Sequence, residues 1–411
     1  MLKIDEARLF EDLEALAQVG ATPEGGVSRP AMSEGDAQGR AWFKQRVQQD
    51  GLEFRHDGAG NLSALLPSAS PNARTLLFGS HLDSVPNGGR YDGALGVLSA
   101  LEALRTIRDA GLKLPAHLEV ISFTDEEGSV LGMLGSQALT GALTGEHLKT
   151  PRGGDALLAE GMGRLDITAE SVFSAQRDPA GLLAFLELHI EQGTRLEDAG
   201  MHIGVVTAIV GIRSYELHFF GQAAHAGTMP MDKRADALWG AAAFIQRSRE
   251  LVVTRFAPGV MNCGRIEIMP GAYNIVPSES RLALEFRHSS ESRLNDMQTA
   301  LLSLANGIAG QYRLGLEVIP GNDCIAAPLD ERVIEAIETA ADKLQLKHTR
   351  LISFAGHDTQ VLSSITPSAM LFVPSVKGIS HNPKEFTRPE DVVNGANTVL
   401  HTILELVERL V

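Results

Sequence analysis

The chain has 411 residues, 44% hydrophobic and 21% charged, with a formal net charge of −15. That length and composition allow a large core in two or three domains, and the acidic balance without a basic run excludes the electrostatic footprint of a nucleic-acid binder. Two cysteines, Cys263 and Cys324, are too few for a disulfide scaffold and suit a reducing compartment.

No stretch reaches the ~18 apolar residues of a membrane span. The opening MLKIDEARLFEDLEAL reads as an acidic helix rather than a signal peptide. A soluble, cytoplasmic protein with no membrane partner is expected.

Over 5–19, Leu9, Phe10, Leu13 and Leu16 recur at helical spacing, with Asp5 as N-cap and Gly20 as stop. A loop at 25–33 leads to a helix over 36–49, expected to bury Trp42 and Val47. Strands are expected at 53–56, 61–66 and 75–80, the last running into His81 and Asp83. A Pro/Gly loop then carries Asp92, and 94–110 reads as a helix ended by Gly111. HLEVISFT (117–124) is a buried strand that meets Asp125-Glu126-Glu127-Gly128. Residues 140–180 read as loops and short helices, and LLAFLELHI (182–190) as a strand carrying His189. Strand, helix, strand with polar residues at the strand ends describes an α/β sheet with a site along one edge.

From about 209 the pattern changes. A strand (IVGIRSYELHFFG), a helix (232–250), a strand pair around a Pro-Gly turn, a helix (291–312) and a strand (LGLEVIP) follow in turn. This is the β-α-β-β-α-β order of the ferredoxin-like unit. Residues 209–326 are expected to be an insert, and 1–208 with 327–411 a discontinuous outer domain. The outer pattern resumes with a helix at 329–345, the loop SFAGHDT, a strand at 368–373, a loop carrying His381 and a helix from Pro389 to the end.

His81, Asp92, Glu127, His189 and His381 are the candidate metal ligands. Imidazole and carboxylate together suit zinc or a similar ion, and this set exceeds one structural zinc. It suits two ions sharing a carboxylate and a water whose pKa falls toward ~7. Asp92, in a Gly-flanked loop, is the expected bridge. Asp83 suits a supporting role, accepting from the His81 imidazole N–H and fixing its tautomer. Glu126, beside Glu127, is free to face the water as a base. The remaining histidines, Trp42, Trp239 and Cys263 read as ordinary packing or surface residues.

HLDSVPNGGRYDG, TDEEGS, ELHIEQG, GQAAHAGTMPM, SFAGHDT and GISHNPKE, in this order, resemble the M20-type amidohydrolases of the hydantoinase/carbamoylase group. That group includes N-carbamoyl-L-amino acid hydrolases, β-ureidopropionases and allantoate amidohydrolases. The resemblance implies an α/β, di-metal aminopeptidase-like catalytic domain with an inserted ferredoxin-like α+β dimerisation (lid) domain. It implies His81, Asp92 and His189 on one ion, and Asp92, Glu127 and His381 on the other. Zinc is the ion it favours; manganese, cobalt or nickel also serve relatives. It implies Glu126 as general base and His225 as oxyanion stabiliser. Asn274 and Arg287 match positions that clamp the substrate carboxylate, which suits a planar guanidinium. Gln192 and His357 match further substrate contacts. It also implies a homodimer, with some groups reaching the partner's active site.

Phe354, Thr359 and Lys377 depart from the family's Gly, Ala and Gly close to the expected substrate pocket, which leaves the side-chain preference open but not the reaction. The expected reaction is metal-dependent hydrolysis of an N-carbamoyl-L-amino acid to the amino acid, CO2 and ammonia. Allantoate amidohydrolase and β-ureidopropionase are the alternatives. An M20 peptidase or deacylase, or a non-catalytic binding dimer, are the more distant ones.

Overall fold

Leu9, Leu13 and Leu16 fall on the buried face of helix α1 (Glu6–Gln18), which Asp5 caps by accepting from the Arg8 amide. The computed structural model describes residues 1–411, the side chain of Asn322 excepted. Helix α2 (Glu34–Gln49) begins before the expected Asp36, because Ser33 takes the cap and accepts from the Asp36 amide. It buries Phe43 and Val47. Trp42 is instead only half-buried, with the Arg46 guanidinium 5.5 Å from its ring.

The chain continues through β1 (Glu53–His56), β2 (Leu62–Leu66), β3 (Thr75–His81), α3 (Ala94–Asp109) and β4 (His117–Phe123). Then come α4 (Leu134–Thr140), α5 (Asp155–Arg164), α6 (Ala169–Phe173), β5 (Leu182–Ile190), α7 (Arg195–Ala199) and β6 (Ile203–Ile209). The insert holds β7 (Gly211–Phe220), α8 (Ala237–Arg255), β8 (Val260–Met269), β9 (Glu279–His288), α9 (Glu291–Tyr312) and β10 (Gly315–Cys324). After it follow β11 (Ala327–Pro328), α10 (Glu331–Lys343), β12 (His348–Ser353), α11 (Asp358–Leu362), β13 (Ser368–Val373) and α12 (Pro389–Leu410). The chain divides into two compact units: Met1–Thr207 with Leu329–Val411, here unit 1, and Ala208–Pro328, unit 2.

The unit 1 sheet runs β1-β2-β4-β3-β5-β13-β6, with β12 also paired to β6. Strands β4, β3, β5 and β13 are parallel neighbours; β2 and β6 flank them antiparallel. Every residue of β5 is buried, which is why it reads as an unbroken apolar run: helices cover both faces of a parallel sheet. Each Leu or Phe so buried contributes about 1.5–3 kcal/mol. Strand β3 leads through α3 to β4 on one side, while β5 lies on its other side. That reversal is where open α/β sheets open a crevice beyond the strands' carboxyl ends.

The unit 2 sheet has the order β10-β7-β9-β8, antiparallel throughout, the ferredoxin-like arrangement. Strand β9 alternates buried and half-buried residues, and Leu282, Leu284 and Phe286 pack with Phe244 of α8 and Leu301 of α9. Helix α8 starts later than expected, because the 231–233 turn comes first and Asp236 caps it, accepting from the Leu238 and Trp239 amides. Trp239 is half-buried, with the Arg234 guanidinium 5.9 Å from its ring. Strands β6 and β12 were not expected from the sequence. The first merges with the apolar run that follows it, and the second is only partly buried, which weakens its alternation.

Candidate active site

Strands β3, β4 and β5 end beside one another, so His81, the Asp125–Glu127 turn and His189 face a common crevice. The Asp92 loop completes it at the start of α3. Gly93 adopts φ +62°, and a Cβ there would stand 2.4 Å from the His81 ring; only glycine lets the loop approach so closely.

Asp92 is buried and offers its two oxygens to different partners. Oδ1 lies 3.1 Å from His189 Nε2 and 3.7 Å from His81 Nε2. Oδ2 lies 3.5 Å from His381 Nε2, which is itself 3.5 Å from Glu127 Oε2. His81, Asp92 and His189 form one cluster, and Asp92, Glu127 and His381 a second, each with its ligand atoms within 4.8 Å of one another. Zinc–nitrogen and zinc–oxygen bonds of about 2.0–2.2 Å place neighbouring ligand atoms at such separations.

The electrostatics point the same way. Burial, then Asp92 and Asp83, push the Glu127 carboxyl up to about 9. Burial, then Asp358 and Glu127, push Glu126 well above the carboxylate range. Burial drives His81 down to about 4, and its Nε2, like Glu127 Oε1, is buried without a hydrogen-bond partner. Burial would lower His189 too, but Asp92 outweighs it and holds the ring at about 9. Crowded carboxylates and orphaned ligand atoms at one place are what a divalent cation relieves, so the residues fit two ions sharing Asp92.

Glu126 stands at this crevice, Oε2 3.6 Å from His81 Nε2. Asp125 has another task. At φ +56° it accepts from the amides of Val130, Leu131 and Gly132, folding the acidic turn so that its neighbours point inward. Asp83 meets His81 through its backbone. Its backbone carbonyl, 3.0 Å from His81 Nδ1, sets the ring's tautomer, while its carboxylate, 3.7 Å away, accepts from the Glu127 amide. Gln192 Nε2 donates to Asp92 Oδ2 at 2.9 Å. His357 is buried, its ring 4.5 Å from His189 and its Nε2 3.1 Å from Ser353 Oγ. Gln192 (φ +57°) and His381 (φ +54°) both sit in the left-handed region, a strain that collects at functional sites.

Sequence reasoning missed two buried carboxylates. Glu385 accepts from the Tyr91 amide at 3.0 Å and the Asp92 amide at 3.1 Å, and from Ser380 Oγ, which also donates to Asp92. A Cβ on Gly89 would stand 2.0 Å from this carboxylate, so glycine there admits it. Its place in GISHNPKE, four residues after His381, was the available signal. Glu187 accepts from Ser80 Oγ and from the amide and hydroxyl of Thr359. Thr359 is thus a buried tether rather than a pocket residue, and Lys377 is exposed with its amide on Glu197. Of the three departures, Phe354 lines a cavity in unit 1.

In unit 2, His225 pairs with Ile275 in an isolated bridge, and the Ala226 amide donates to the Asn274 carbonyl at 2.9 Å. These residues follow Phe220 and precede Glu279, which face each other across β7 and β9. Arg287 faces Ile212 and pairs with Glu285. At ~3.4 Å per residue it lies ~27 Å along β9 from the Glu279 end. The sheet thus holds Asn274 and Arg287 toward opposite ends of one unit 2.

The profile of peptidase family M20/M25/M40 matches residues 77–405. The chain belongs to this family. Like its M20 relatives of the amidohydrolase branch, it is a hydrolase of C–N bonds other than peptide bonds. It is 34% identical over 407 residues to the N-carbamoyl-L-amino acid amidohydrolase of Geobacillus stearothermophilus, covering 98% of this chain and 99% of that one. It is 34% identical over 419 residues to a ureidoglycolate hydrolase of Arabidopsis thaliana, covering 98% and 87%. A hydantoinase/carbamoylase family amidase from Burkholderia multivorans superposes with a TM-score of 0.90 at 34% identity over 100% of both chains.

Proposed function

We propose that this M20 hydrolase cleaves the carbamoyl C–N bond of an N-carbamoyl-L-amino acid. One water is consumed, and the amino acid, CO2 and ammonia are released. The observation that carries the reading is the two-faced Asp92, one oxygen toward His81 and His189, the other toward His381 beside Glu127. His81, Asp92 and His189 would hold one divalent ion, and Asp92, Glu127 and His381 the other, with zinc the first choice and manganese, cobalt or nickel the alternatives. When bound, such a pair polarises a carbonyl and lowers the pKa of water.

The chain's own residues do the rest. Glu126 takes a proton from the attacking water and returns it to the leaving nitrogen. Asp125 and the Asp83 carboxylate hold the acidic turn so that Glu126 keeps its aim. His225 meets the developing oxyanion. Arg287 pairs with the substrate carboxylate through its planar fork, and Asn274 contributes a separate polar contact. The separation of Arg287 from His225 and Asn274 along unit 2 supports a homodimer in which the two ends of that unit serve different active sites.

The test is ammonia release from N-carbamoyl-L-amino acids, ureidopropionate, allantoate and ureidoglycolate after reconstitution with each metal. Turnover concentrated on the carbamoyl-amino acids is expected. Hydrolysis of N-acetyl amino acids alone would overturn the reading.

A further inference from the structure

A cavity of about 270 Å³ opens in unit 1 beside the metal cluster, lined among others by Gln192, Arg195, Leu351, Phe354 and Phe372. It is just below the ~300 Å³ at which drug-sized pockets begin, so it has room for one amino-acid-sized group. It adjoins the site on two sides. Gln192 lines it and donates to Asp92 Oδ2 at 2.9 Å. The Phe372 ring, 5.5 Å from His357 and 6.5 Å from His189, is a shared wall.

Apart from Arg195, the polar side chains of its lining are already engaged. Glu191 accepts from the Arg195 and Leu196 amides, both at 2.9 Å. Ser353 Oγ donates to the Ala355 carbonyl at 2.8 Å and faces His357. What is left is the apolar surface of Leu351, Phe354 and Phe372, with one cation at the rim. The Arg195 guanidinium, exposed, lies 5.1 Å from the centre of the Phe354 ring and has no carboxylate partner among the described residues.

We propose that this cavity receives the side chain of the substrate, and that Phe354, steadied by Arg195, makes bulky aliphatic and aromatic N-carbamoyl-L-amino acids the preferred class. The inference rests on the carbamoyl reading above. An acidic side chain is disfavoured, because its carboxylate would be stripped of water against Leu351 and two phenyl rings. The second ureido group of allantoate meets the same walls. A hydrocarbon side chain loses nothing there and gains by its burial. A glycine at position 354 would remove one wall, so Phe354 narrows a pocket that the rest of the fold leaves wider.

The experiment uses the full chain reconstituted with zinc or manganese. kcat/KM is measured for the N-carbamoyl derivatives of glycine, L-leucine, L-phenylalanine and L-aspartate and for allantoate, in the wild type, Phe354→Ala, Phe354→Leu and Arg195→Ala. In the wild type the leucine and phenylalanine derivatives should exceed carbamoylglycine about tenfold or more, chiefly through KM. Phe354→Ala should collapse that ratio, Phe354→Leu should restore part of it for leucine, and Arg195→Ala should narrow it less. A ratio within twofold in the wild type, a ratio unchanged in Phe354→Ala, or a preference for allantoate or for carbamoylaspartate that Arg195→Ala abolishes would each overturn the proposal. If no ureido compound releases ammonia, the carbamoyl reading fails instead. The pocket is then judged by calorimetry on Glu126→Gln: tighter binding of N-carbamoyl-L-phenylalanine than of carbamoylglycine upholds it, and equal binding overturns it.

Discussion

In unit 1 the side chains that converge are rooted at the ends of buried parallel strands. His81 closes β3, His189 lies near the end of β5, and Glu126 and Glu127 follow β4. In unit 2, His225 and Asn274 stand on exposed loops, and Arg287 sits half-buried at the far end of β9. The first group is positioned by neighbours that are themselves fixed: the Asp83 carbonyl on His81, the Glu385 carboxylate under Asp92, and Ser80 and Thr359 on Glu187. The second group is spread along a sheet whose length exceeds any small substrate. A cluster able to hold metal ions needs its side chains fixed to within about half an ångström, which strand ends supply. Groups that meet substrate after it arrives can ride on loops. His381, half-exposed in a loop of unit 1, is the least enclosed member of the two clusters.

The sharpest way to break this comparison is Glu126→Gln, which removes the proposed base and leaves every member of the two clusters in place. A loss of 10²–10⁴-fold in kcat is expected, about the range for general acid–base catalysis, with metal content by elemental analysis unchanged. Activity close to the wild type would remove Glu126 from its role.

The contrast between the units is tested next by mixing Glu126→Gln with His225→Ala after dissociation and reassociation. If unit 2 serves the partner's site, mixed dimers regain one working site and the population recovers about a quarter of wild-type turnover. If each chain serves itself, mixing restores nothing.

Support beneath the cluster is probed by Glu385→Gln, which keeps the size of the side chain but weakens the acceptor under the Tyr91 and Asp92 amides. Metal affinity should fall about 10–100-fold, read by competition with a chelator, while the fold persists by circular dichroism. Unchanged affinity would mean that Asp92 is held without help from the Glu385 carboxylate.

The last effect lies away from the site. Arg177 forks onto buried Glu119 at 2.7 and 2.8 Å, and despite burial it holds that carboxyl below its ordinary value. A depressed carboxylate contributes stability above its unfolded pKa and loses it as pH falls through the folded one. Arg177→Ala should therefore lower stability by about 3 kcal/mol near pH 7. The gap between variant and wild type should close below about pH 4.5, as denaturant titrations would record. A gap that held constant with pH would point to lost packing alone.

Sequence by itself determined the element types, the ferredoxin-like order of the insert and the residue types able to bind metal. Those signals are local: apolar runs where a strand is covered on both faces, caps such as Asp5, and His or carboxylate residues next to strand ends. Local pattern also misled where exposure was decisive, placing Trp42 in a core that Phe43 occupies. Only the tertiary structure decided which groups meet. Glu385 reaches an amide 293 residues away, a backbone carbonyl rather than a carboxylate orients His81, and Asn274 and Arg287 part company along one sheet. Partners so far apart in the chain are chosen by packing and by the need to satisfy buried polar groups, and neither leaves a period in the sequence.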